Sequence, residues 1–351
     1  RYLIAADGAG STVRDHLGIP MVGPHALQHN MMIHFEADLR QVLQNRPAIL
    51  YFLFGPGSSR VLIAYDIGKT WVLMHRCNPT DTVSDFGPDV CQRLIRQAIG
   101  DDSHPFEIKN VRPWVMSAQV AQRYRSGQVF LVGDAAHRFP PSGGLGLNTG
   151  IADVDILTWK LAAVEHGNAS AHLLHTYQSE RLGIAQANME QSLGNSMRMK
   201  VLMDVLGYNP QAPETSNQIV QRLSDPGLRI AIDQAVEYQR EHFDSLRLQL
   251  GYIYGHTAQQ NADMPISLYL PQAVPGARLP HHPLSDGRST LSLLHKADLT
   301  LLCTQGSNWL NTTTLWGTPV HIASQGLDFE MTGHLPTLMG LSETGALLVR
   351  P

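Results

Sequence analysis

The segment that most constrains the fold is VFLVGDAAHRFPPSGGLGLNTGI, which spans residues 129–151. Its first four residues are apolar and predict a short buried strand that ends at Gly133 and Asp134. The proline pair Pro140–Pro141 follows, and a helical period begins near Ile151. Glycines stand between them at positions 143, 144, 146 and 150. A carboxylate directly after a strand, with bare backbone before a helix, is typical of an α/β fold that binds a ligand at the carboxyl edge of its sheet.

We interpret this segment as a ligand site. The carboxylate of Asp134 would accept hydrogen bonds from ligand hydroxyl groups, and the glycines would let a flat ligand approach the backbone closely. The N–H groups near Leu147 and Asn148 would face the ligand from the start of the helix, where partial positive charge stabilises an anion. The alternative interpretation is a glycine-rich turn between a strand and a helix, with Asp134 as a cap.

Composition argues against several other functions. The chain of 351 residues has a formal net charge of -4 and no block of like charges, so we expect no nucleic-acid or acidic-membrane surface. No apolar run approaches the roughly 18 residues that a transmembrane helix needs. The 3 cysteines lack metal-ligand or redox spacing, which is typical of the cytoplasm or another reducing intracellular compartment. The 17 histidines are scattered, so we predict no metal site.

An antiparallel sheet is predicted between residues 31 and 75, followed by an amphipathic helix over residues 85–100. The strand candidates are MMIHFEADL, AILYFLF, RVLIAY and TWVLMHR, which are rich in β-branched and aromatic residues. Short breaks separate the last three, and short turns make neighbouring strands antiparallel. In the helix after residue 151, the predicted buried face contains Ile151, Val154, Leu157, Leu161 and Val164. From residue 271 onward, DLTLLCT, PVHIAS and GALLVR predict a separate small α/β domain.

Several side chains of the predicted sheet are candidates for lining an aromatic-substrate cavity, and for each the alternative is an ordinary core position. They are Tyr51, Phe52, Phe54, Trp71 and Met74. Trp114 is a candidate for the boundary between cofactor and substrate. His137 is interpreted as a structural or cofactor-proximal residue rather than a general base, and the sequence identifies no catalytic residue.

Six segments resemble parts of one enzyme family. GQVFLVGDAAHRFPPSGGLGLNTGIADVDILTWKLA closely resembles the second flavin-binding motif of the class A flavoprotein aromatic monooxygenases, the p-hydroxybenzoate hydroxylase and phenol hydroxylase type. YLIAADGAGSTVR resembles the Asp-Gly motif of that family, and LLHTYQSER resembles its Tyr-x-x-Glu-Arg segment. PGARLPH, STLSLL and ALLVRP resemble the thioredoxin-like C-terminal domain of the phenol hydroxylase branch.

The resemblance implies an α/β fold, α+β overall, with four parts. These are a partial Rossmann-like FAD-binding domain (residues 1–20 and 120–190), an inserted antiparallel substrate-binding sheet (21–119), a helical segment (191–270) and a thioredoxin-like C-terminal α/β domain (271–351). The Gly-x-Gly-x-x-Gly turn with which the family begins does not occur in the chain. We therefore expect a fragment of a longer protein that lacks this segment.

The resemblance also implies the chemistry. FAD would be held by Asp134, Pro141, Gly144, Gly146, Leu147 and Asn148, with Asp7 and Gly8 helping to hold it. NADPH or NADH would reduce the flavin, and O₂ would form a C4a-hydroperoxide that hydroxylates a phenol-like ring; the active enzyme is compatible with a homodimer. One alternative is a truncated, non-catalytic remnant or binding module of such an enzyme. Another is an NAD-dependent Rossmann dehydrogenase, which gives no reason for the proline pair and the Gly-x-Gly-x-Asn segment.

Overall fold

The computed structural model describes residues 1–55, 58–207, 214–255, 264–312, 314–315, 317–330 and 335–351. Within them the strands are β1 (Leu3–Ala5), β2 (Met21–Val22), β3 (Gln28–Glu36), β4 (Leu50–Gly55), β5 (Ser58–Asp66), β6 (Thr70–Cys77), β7 (Glu107–Met116), β8 (Gln119–Ala121), β9 (Arg125–Ser126), β10 (Val129–Leu131), β11 (His137–Arg138), β12 (Leu299–Cys303), β13 (Thr314–Leu315), β14 (Thr318–Ser324) and β15 (Ala346–Val349). The α-helices are α1 (Thr12–His16), α2 (Arg40–Leu43), α3 (Pro88–Ile99), α4 (Leu145–Glu165), α5 (Thr176–Val205), α6 (Ser216–Leu223), α7 (Pro226–Glu237), α8 (Arg240–Phe243), α9 (Leu246–Leu250) and α10 (Leu335–Met339). Turns of 3₁₀ helix cover Val83–Asp85, Gly133–Ala135, Ala171–His175 and Thr290–Leu293.

The first sheet brings the start of the chain beside the segment at 129–151. β1 and β10 are parallel, with Ala5 opposite Leu131, and β9 adds to β10 in the antiparallel sense. Parallel strands end at the same edge of a sheet, so the residues that follow β1 and β10 lie close together. α4 and α5 pack against this sheet and contribute Ile156, Leu157, Tyr177 and Ala185 to its core, in which Phe130 and Tyr177 are fully buried.

The predicted antiparallel sheet is confirmed. It has the strand order β4-β5-β6-β3-β7 and every neighbouring pair is antiparallel. The predicted amphipathic helix is α3, which begins at Pro88 and ends at Gly100, where φ is 77°. Leu94 and Ile95 of α3 are buried with Ile33 of β3, so α3 covers one face of the sheet.

A separate mixed sheet follows the helices, in the order β13-β14-β12-β15, with β12 and β14 parallel. Its core is a cluster of its own, which includes Leu302 and Phe329. The predicted α/β class, with an inserted antiparallel sheet and a C-terminal α/β unit, is confirmed. Among the described residues, none of the helices combines the length and apolar character of a membrane span.

The position of α4 corrects the prediction. The helix begins at Leu145 rather than near Ile151, and Ile151 and Val154 are 58% and 44% exposed. Leu157 of the predicted face is fully buried, and Leu161 and Val164 pack against the same core. The buried residues of α4 are Leu145, Thr149, Asp153, Ile156, Leu157 and Lys160. Buried polar residues interrupt the apolar period, so the sequence pattern identified only part of the buried face.

Candidate functional site

The 3₁₀ turn at Gly133–Ala135 presents a carboxylate at the carboxyl edge of the β1–β10 pair. The chain leaves β10 through Gly133, whose φ of 57° lies in the left-handed region that glycine favours. Asp134 is exposed, whereas the next two residues, Ala135 and Ala136, are fully buried. An exposed, charged acceptor at this edge can bind the hydroxyl groups of a ligand.

The first turn of α4 lies on the other side of the proline segment. Gly144 is the residue before the helix, with φ 65° and ψ 27°, and no side chain caps the helix start. Gly146 and Leu147 belong to the first turn, whose N–H groups have no intrahelical acceptor. Asn148 Nδ2 donates to the Gly144 carbonyl at 3.1 Å. These four predicted site residues therefore lie together at one helix N-terminus.

Bare backbone and apolar side chains line the space in front of this helix start. A Cβ atom on Gly144 or Gly146 would meet no atom within 4 Å. Pro141 is exposed, and Leu147 is 77% exposed. A flat ring with partial negative charge fits such a surface, because the helix start supplies donors and the glycines leave room.

Asp7 and Gly8 follow β1 at the same edge of the sheet. The Asp7 carboxylate accepts hydrogen bonds from the backbone N–H of Val13 at 3.2 Å and from the Thr12 hydroxyl at 3.4 Å. Hydrogen bonding, first from Ser11, lowers the pKa of Asp7. Asp7 therefore organises the turn into α1, with Gly8 at φ 82°, and its contact with a cofactor stays a prediction.

Arg14 ties the two segments of this edge together. Its side chain is 4% exposed, and Nη1 donates to the carbonyls of Ala9 and Ala135, each at 3.2 Å. Ala135 directly follows Asp134, so Arg14 helps to fix the turn. Arg14 has no predicted role, because its burial and its contact with Ala135 across 121 positions cannot be read from the local sequence.

A buried ion pair lies beneath the exposed turn. Asp153 Oδ2 accepts hydrogen bonds from the Gly133 backbone N–H at 3.2 Å and from His137 Nε2 at 2.8 Å. Asp153 Oδ1 accepts from Arg181 Nε at 2.8 Å, and Arg181 also donates to the Thr149 carbonyl at 3.2 Å. The side chains of Asp153, His137 and Arg181 are at most 1% exposed. One carboxylate–guanidinium pair thus holds both the turn and the start of α4.

This environment favours the structural interpretation of His137. The ring stacks on Phe139 at 4.7 Å between centroids and lies 6.4 Å from Tyr124. It has no exposed surface and donates to Asp153. Asp153 and Arg181 were missed as functional residues, and the Tyr-x-x-Glu-Arg segment was the signal that could have found Arg181.

A second polar group braces the Pro141–Gly144 loop from outside. Asn195 Nδ2 donates to the Ser142 carbonyl at 3.3 Å, and Asn195 Oδ1 accepts from Arg198 Nη1 at 3.1 Å. Arg198 is in turn paired with Glu241 of α8. The Gly144 N–H donates to the Pro141 carbonyl within the loop at 3.1 Å, and side chains of α5 brace the loop from outside.

The predicted substrate residues divide between the two faces of the five-stranded sheet. The rings of Tyr51 and Trp71 are 5.9 Å apart on the face that α3 covers. Trp71 is fully buried, and its Nε1 donates to the Ala37 carbonyl at 3.1 Å. The period-two alternation places Tyr51 and Trp71 on the side of the core beneath α3, and their contact with a substrate stays a prediction.

Met74 and Trp114 lie on the opposite face, outside the core beneath α3. Met74 of β6 pairs with Met32 of β3 and with Val61 of β5, and Val61 pairs with Phe52 of β4. The side chains of the two methionines, Phe52 and Trp114 are half-buried. The side chain of Phe54 lies outside the described residues. An aromatic and thioether surface therefore faces away from α3, and we call Met32, Phe52, Met74 and Trp114 the open-face cluster.

Two family models match the chain. One, described as an FAD binding domain, matches residues 1–192, and the other, described as the C-terminal part of aromatic-ring hydroxylases, matches residues 272–351. Tetracenomycin B2 monooxygenase-dioxygenase of Streptomyces olivaceus is 34% identical, with 100% of this chain and 61% of the relative covered. 2,4-Dichlorophenol 6-monooxygenase of Delftia acidovorans is 29% identical, with 100% and 65% covered. The chain thus spans less than two thirds of the length of these relatives.

Solved structures give the same grouping. The flavin-dependent monooxygenase PieE in complex with FAD and substrate superposes with a TM-score of 0.90 at 31% identity, over 100% of this chain and 66% of that one. The ternary complex of aklavinone-11 hydroxylase with FAD and aklavinone superposes with a TM-score of 0.76 at 27% identity, over 100% and 62%.

Proposed function

The chain belongs to the FAD-binding family of flavin-dependent aromatic-ring hydroxylases, and from this premise we propose that it is the major part of a monooxygenase that hydroxylates a phenol-like ring. The reaction would consume NADPH or NADH and O₂. The observation that supports it most directly is the combination of an exposed Asp134 with the open glycine surface at the start of α4. FAD offers ribityl hydroxyl groups to the first and a flat, anion-forming ring to the second.

Each part of the site has a defined task in this proposal. Asp134 would accept hydrogen bonds from the ribityl chain, and Pro141 and Leu147 would contact the ring. The N–H groups at Gly146 and the following residues would donate to the pyrimidine edge, where the helix terminus stabilises negative charge. FAD, when bound, would be reduced by the nicotinamide and would then activate O₂. The protein holds the ring, orients the substrate and excludes water.

The substrate would lie against the open-face cluster. Two thioethers and two aromatic rings offer a polarisable, half-buried surface for an aromatic ligand. Relatives named for tetracenomycin B2 and for 2,4-dichlorophenol align with the whole of this chain. An aromatic substrate is therefore the class that agrees with both the surface and the family.

We assign the tasks to parts of the chain as follows. Residues 1–20 and 120–190 would bind the cofactor, residues 21–119 would cover the substrate, residues 191–270 would brace the cofactor loop, and residues 271–351 would form the C-terminal unit. Asn195 supports the third of these assignments through its hydrogen bond to the Ser142 carbonyl, and Arg198 holds Asn195 in turn.

The test is to purify the complete protein and record its absorbance spectrum. A bound flavin and NAD(P)H oxidation that rises with phenolic compounds, with hydroxylated product, are expected. Asp134→Ala should weaken FAD binding by roughly 10- to 100-fold, because it removes a charged hydrogen-bond acceptor. Asp134→Asn keeps an acceptor oxygen and should therefore lose less FAD affinity than Asp134→Ala.

Unchanged FAD affinity in Asp134→Ala would contradict the cofactor assignment. A protein that binds FAD but oxidises no NAD(P)H with any phenolic compound would instead favour a non-catalytic binding module. Sedimentation of the same sample measures whether the protein is a homodimer.

A further inference from the structure

Side-chain contacts join the C-terminal unit to the turn that contains Asp134. Arg350 follows β15, and its guanidinium lies 4.7 Å from the ring centroid of Tyr254. The Tyr254 hydroxyl oxygen accepts from Arg181 Nη1 at 3.1 Å. Arg181 is the guanidinium of the buried pair with Asp153. The contacts are therefore continuous from the end of β15 to the carboxylate beneath the turn.

The inner end of this chain touches both elements of the proposed FAD site. Asp153 accepts the Gly133 N–H, and Arg181 donates to the Thr149 carbonyl of α4. A change in the orientation of Arg181 would therefore move the turn and the helix start together. Burial raises the pKa of Tyr254, so its hydroxyl stays neutral and offers an acceptor oxygen to Arg181.

We propose that Tyr254 and Arg350 are positioning residues for FAD, which hold Arg181 and Asp153 so that docking of the C-terminal unit raises the affinity of the turn and helix start for the cofactor. This inference rests on the proposed function, because it assumes that FAD binds at Asp134. Neither residue needs to touch the cofactor. Their effect would pass through the Arg181–Asp153 ion pair. The two side chains of this pair are at most 1% exposed, so neither can turn towards water.

The structure supplies a matched control. Thr318 of β14 donates a hydrogen bond to the carbonyl of Asn168, just beyond the C-terminal end of α4. This contact also joins the C-terminal unit to the helices, but it shares no residue with the chain through Tyr254. Loss of the Thr318 hydroxyl therefore tests docking in general, and loss of the Tyr254 hydroxyl tests the proposed route.

The experiment compares Tyr254→Phe, Arg350→Gln, the double variant and Thr318→Val in the complete protein. Tyr254→Phe keeps the ring beneath Arg350 and removes only the oxygen that Arg181 contacts. FAD affinity is measured by titration of the apoprotein. Hydrogen–deuterium exchange of the backbone amides in the 129–136 peptide is measured without FAD. Thermal melts of the apoproteins show whether each variant is folded.

We expect Tyr254→Phe and Arg350→Gln each to weaken FAD binding by about 2- to 30-fold and to accelerate exchange of the 129–136 peptide. The double variant should bind FAD little more weakly than Arg350→Gln alone, because Tyr254 lies on the route from Arg350 to Arg181, whereas Arg350→Gln also breaks the pair with Glu180. Thr318→Val should leave FAD affinity and exchange unchanged.

Equal FAD affinity and equal exchange in wild type and Tyr254→Phe would overturn the inference. Equal losses in Thr318→Val and Arg350→Gln would also overturn it, since docking alone would then explain the effect. A wild-type protein that binds no FAD would contradict the proposed function, and the exchange measurement would still decide whether Tyr254 positions the turn.

Discussion

Gly146 and Gly150 lie about one helical turn apart in α4, yet the space around them differs. A Cβ atom on Gly146 meets nothing within 4 Å, whereas one on Gly150 would lie 3.2 Å from the Cα atom of Gly133. The first glycine therefore leaves room outside the protein, and the second lets α4 approach the turn that contains Asp134. The two positions can separate cofactor binding from folding.

We predict that Gly146→Val leaves the melting temperature of the apoprotein nearly unchanged, because valine costs less than about 1 kcal/mol at an open helix position. FAD affinity should fall, and the residual flavin should release more hydrogen peroxide per NAD(P)H consumed, since the added methyl groups occupy the ring surface. Titration and a peroxide assay measure the two effects. Wild-type affinity together with wild-type coupling would rule out a flavin ring at this surface.

The matched variant is Gly150→Ala. Alanine is the better helix former, but its methyl group would press on Gly133, whose N–H is held by Asp153. We therefore expect a lower melting temperature in the absence of FAD. A higher one would show that the turn can move away.

His75 gives a prediction for pH. Burial, assisted by Arg60, lowers its pKa from 6.5 to about 4, and Arg60 Nε donates to its Nδ1 at 3.4 Å. At a pH between these two values the His75 side chain is protonated in the unfolded chain and neutral in the folded protein. Stability should therefore fall as the pH decreases from about 6.5 to about 4. Urea unfolding of wild type and His75→Gln measures this, and an equal acid dependence in both would contradict the assignment.

The role of a single residue could be predicted where it depends only on neighbouring residues in the sequence. Asp134 at a strand end and Gly146 at a helix start can be located from the order of residues alone. The pairing of Asp153 with Arg181 could not, because it is a contact across 28 positions of the chain, even though the Tyr-x-x-Glu-Arg segment marks Arg181. The polarity of Asp153 also disguised part of the buried face of α4.

At the scale of elements, side-chain alternation in the five-stranded sheet separates the core face beneath α3 from the proposed substrate face. Composition and turns predicted four of its strands, which the structure confirms, and the structure adds β7 as a fifth. The sequence pattern could not assign the faces, because every strand has apolar residues on both sides. Only the position of α3 distinguishes the side of Trp71 from that of Trp114.

We predict opposite consequences for these two tryptophans. Trp71→Ala should destabilise the protein by about 3–5 kcal/mol, because it empties a fully buried site and removes the bond to Ala37. Trp114→Ala should cost less than half of that and should raise the substrate KM. Urea unfolding and steady-state kinetics measure the two quantities. An unchanged KM in Trp114→Ala would remove the substrate from this face.

At the scale of the whole molecule, a buried charge cluster joins the C-terminal unit to α4 and α5. Glu180 of α5 pairs with Lys160 at 2.9 Å and with Arg350 at 2.8 Å. Lys160 has no exposed side-chain surface, and burial lowers its pKa although Glu180 opposes the shift. The carboxylate therefore compensates one buried cation and holds a second one at the joint.

We predict that Glu180→Gln destabilises the protein by about 3–5 kcal/mol, since it leaves Lys160 buried without its anion. It should also separate the melting of the C-terminal unit from that of the rest, which calorimetry would detect as two transitions. The control on the same helix is Asp204→Asn, which breaks the exposed pair with Lys200 and should cost less than about 0.5 kcal/mol. Equal effects of the two variants would contradict a structural role of the joint.

The open-face cluster has a consequence for how the molecule can change. Three of its members, Met32, Phe52 and Met74, alternate along their strands with side chains that pack beneath α3. Substitutions at every second position can therefore reshape the proposed substrate surface while the intervening residues keep the sheet folded. An ancestral sequence could acquire a new ring preference through a few such changes without passing through unstable intermediates. A directed library confined to Met32, Phe52, Met74 and Trp114 should accordingly return mostly folded proteins, and their selectivities should differ more than their melting temperatures.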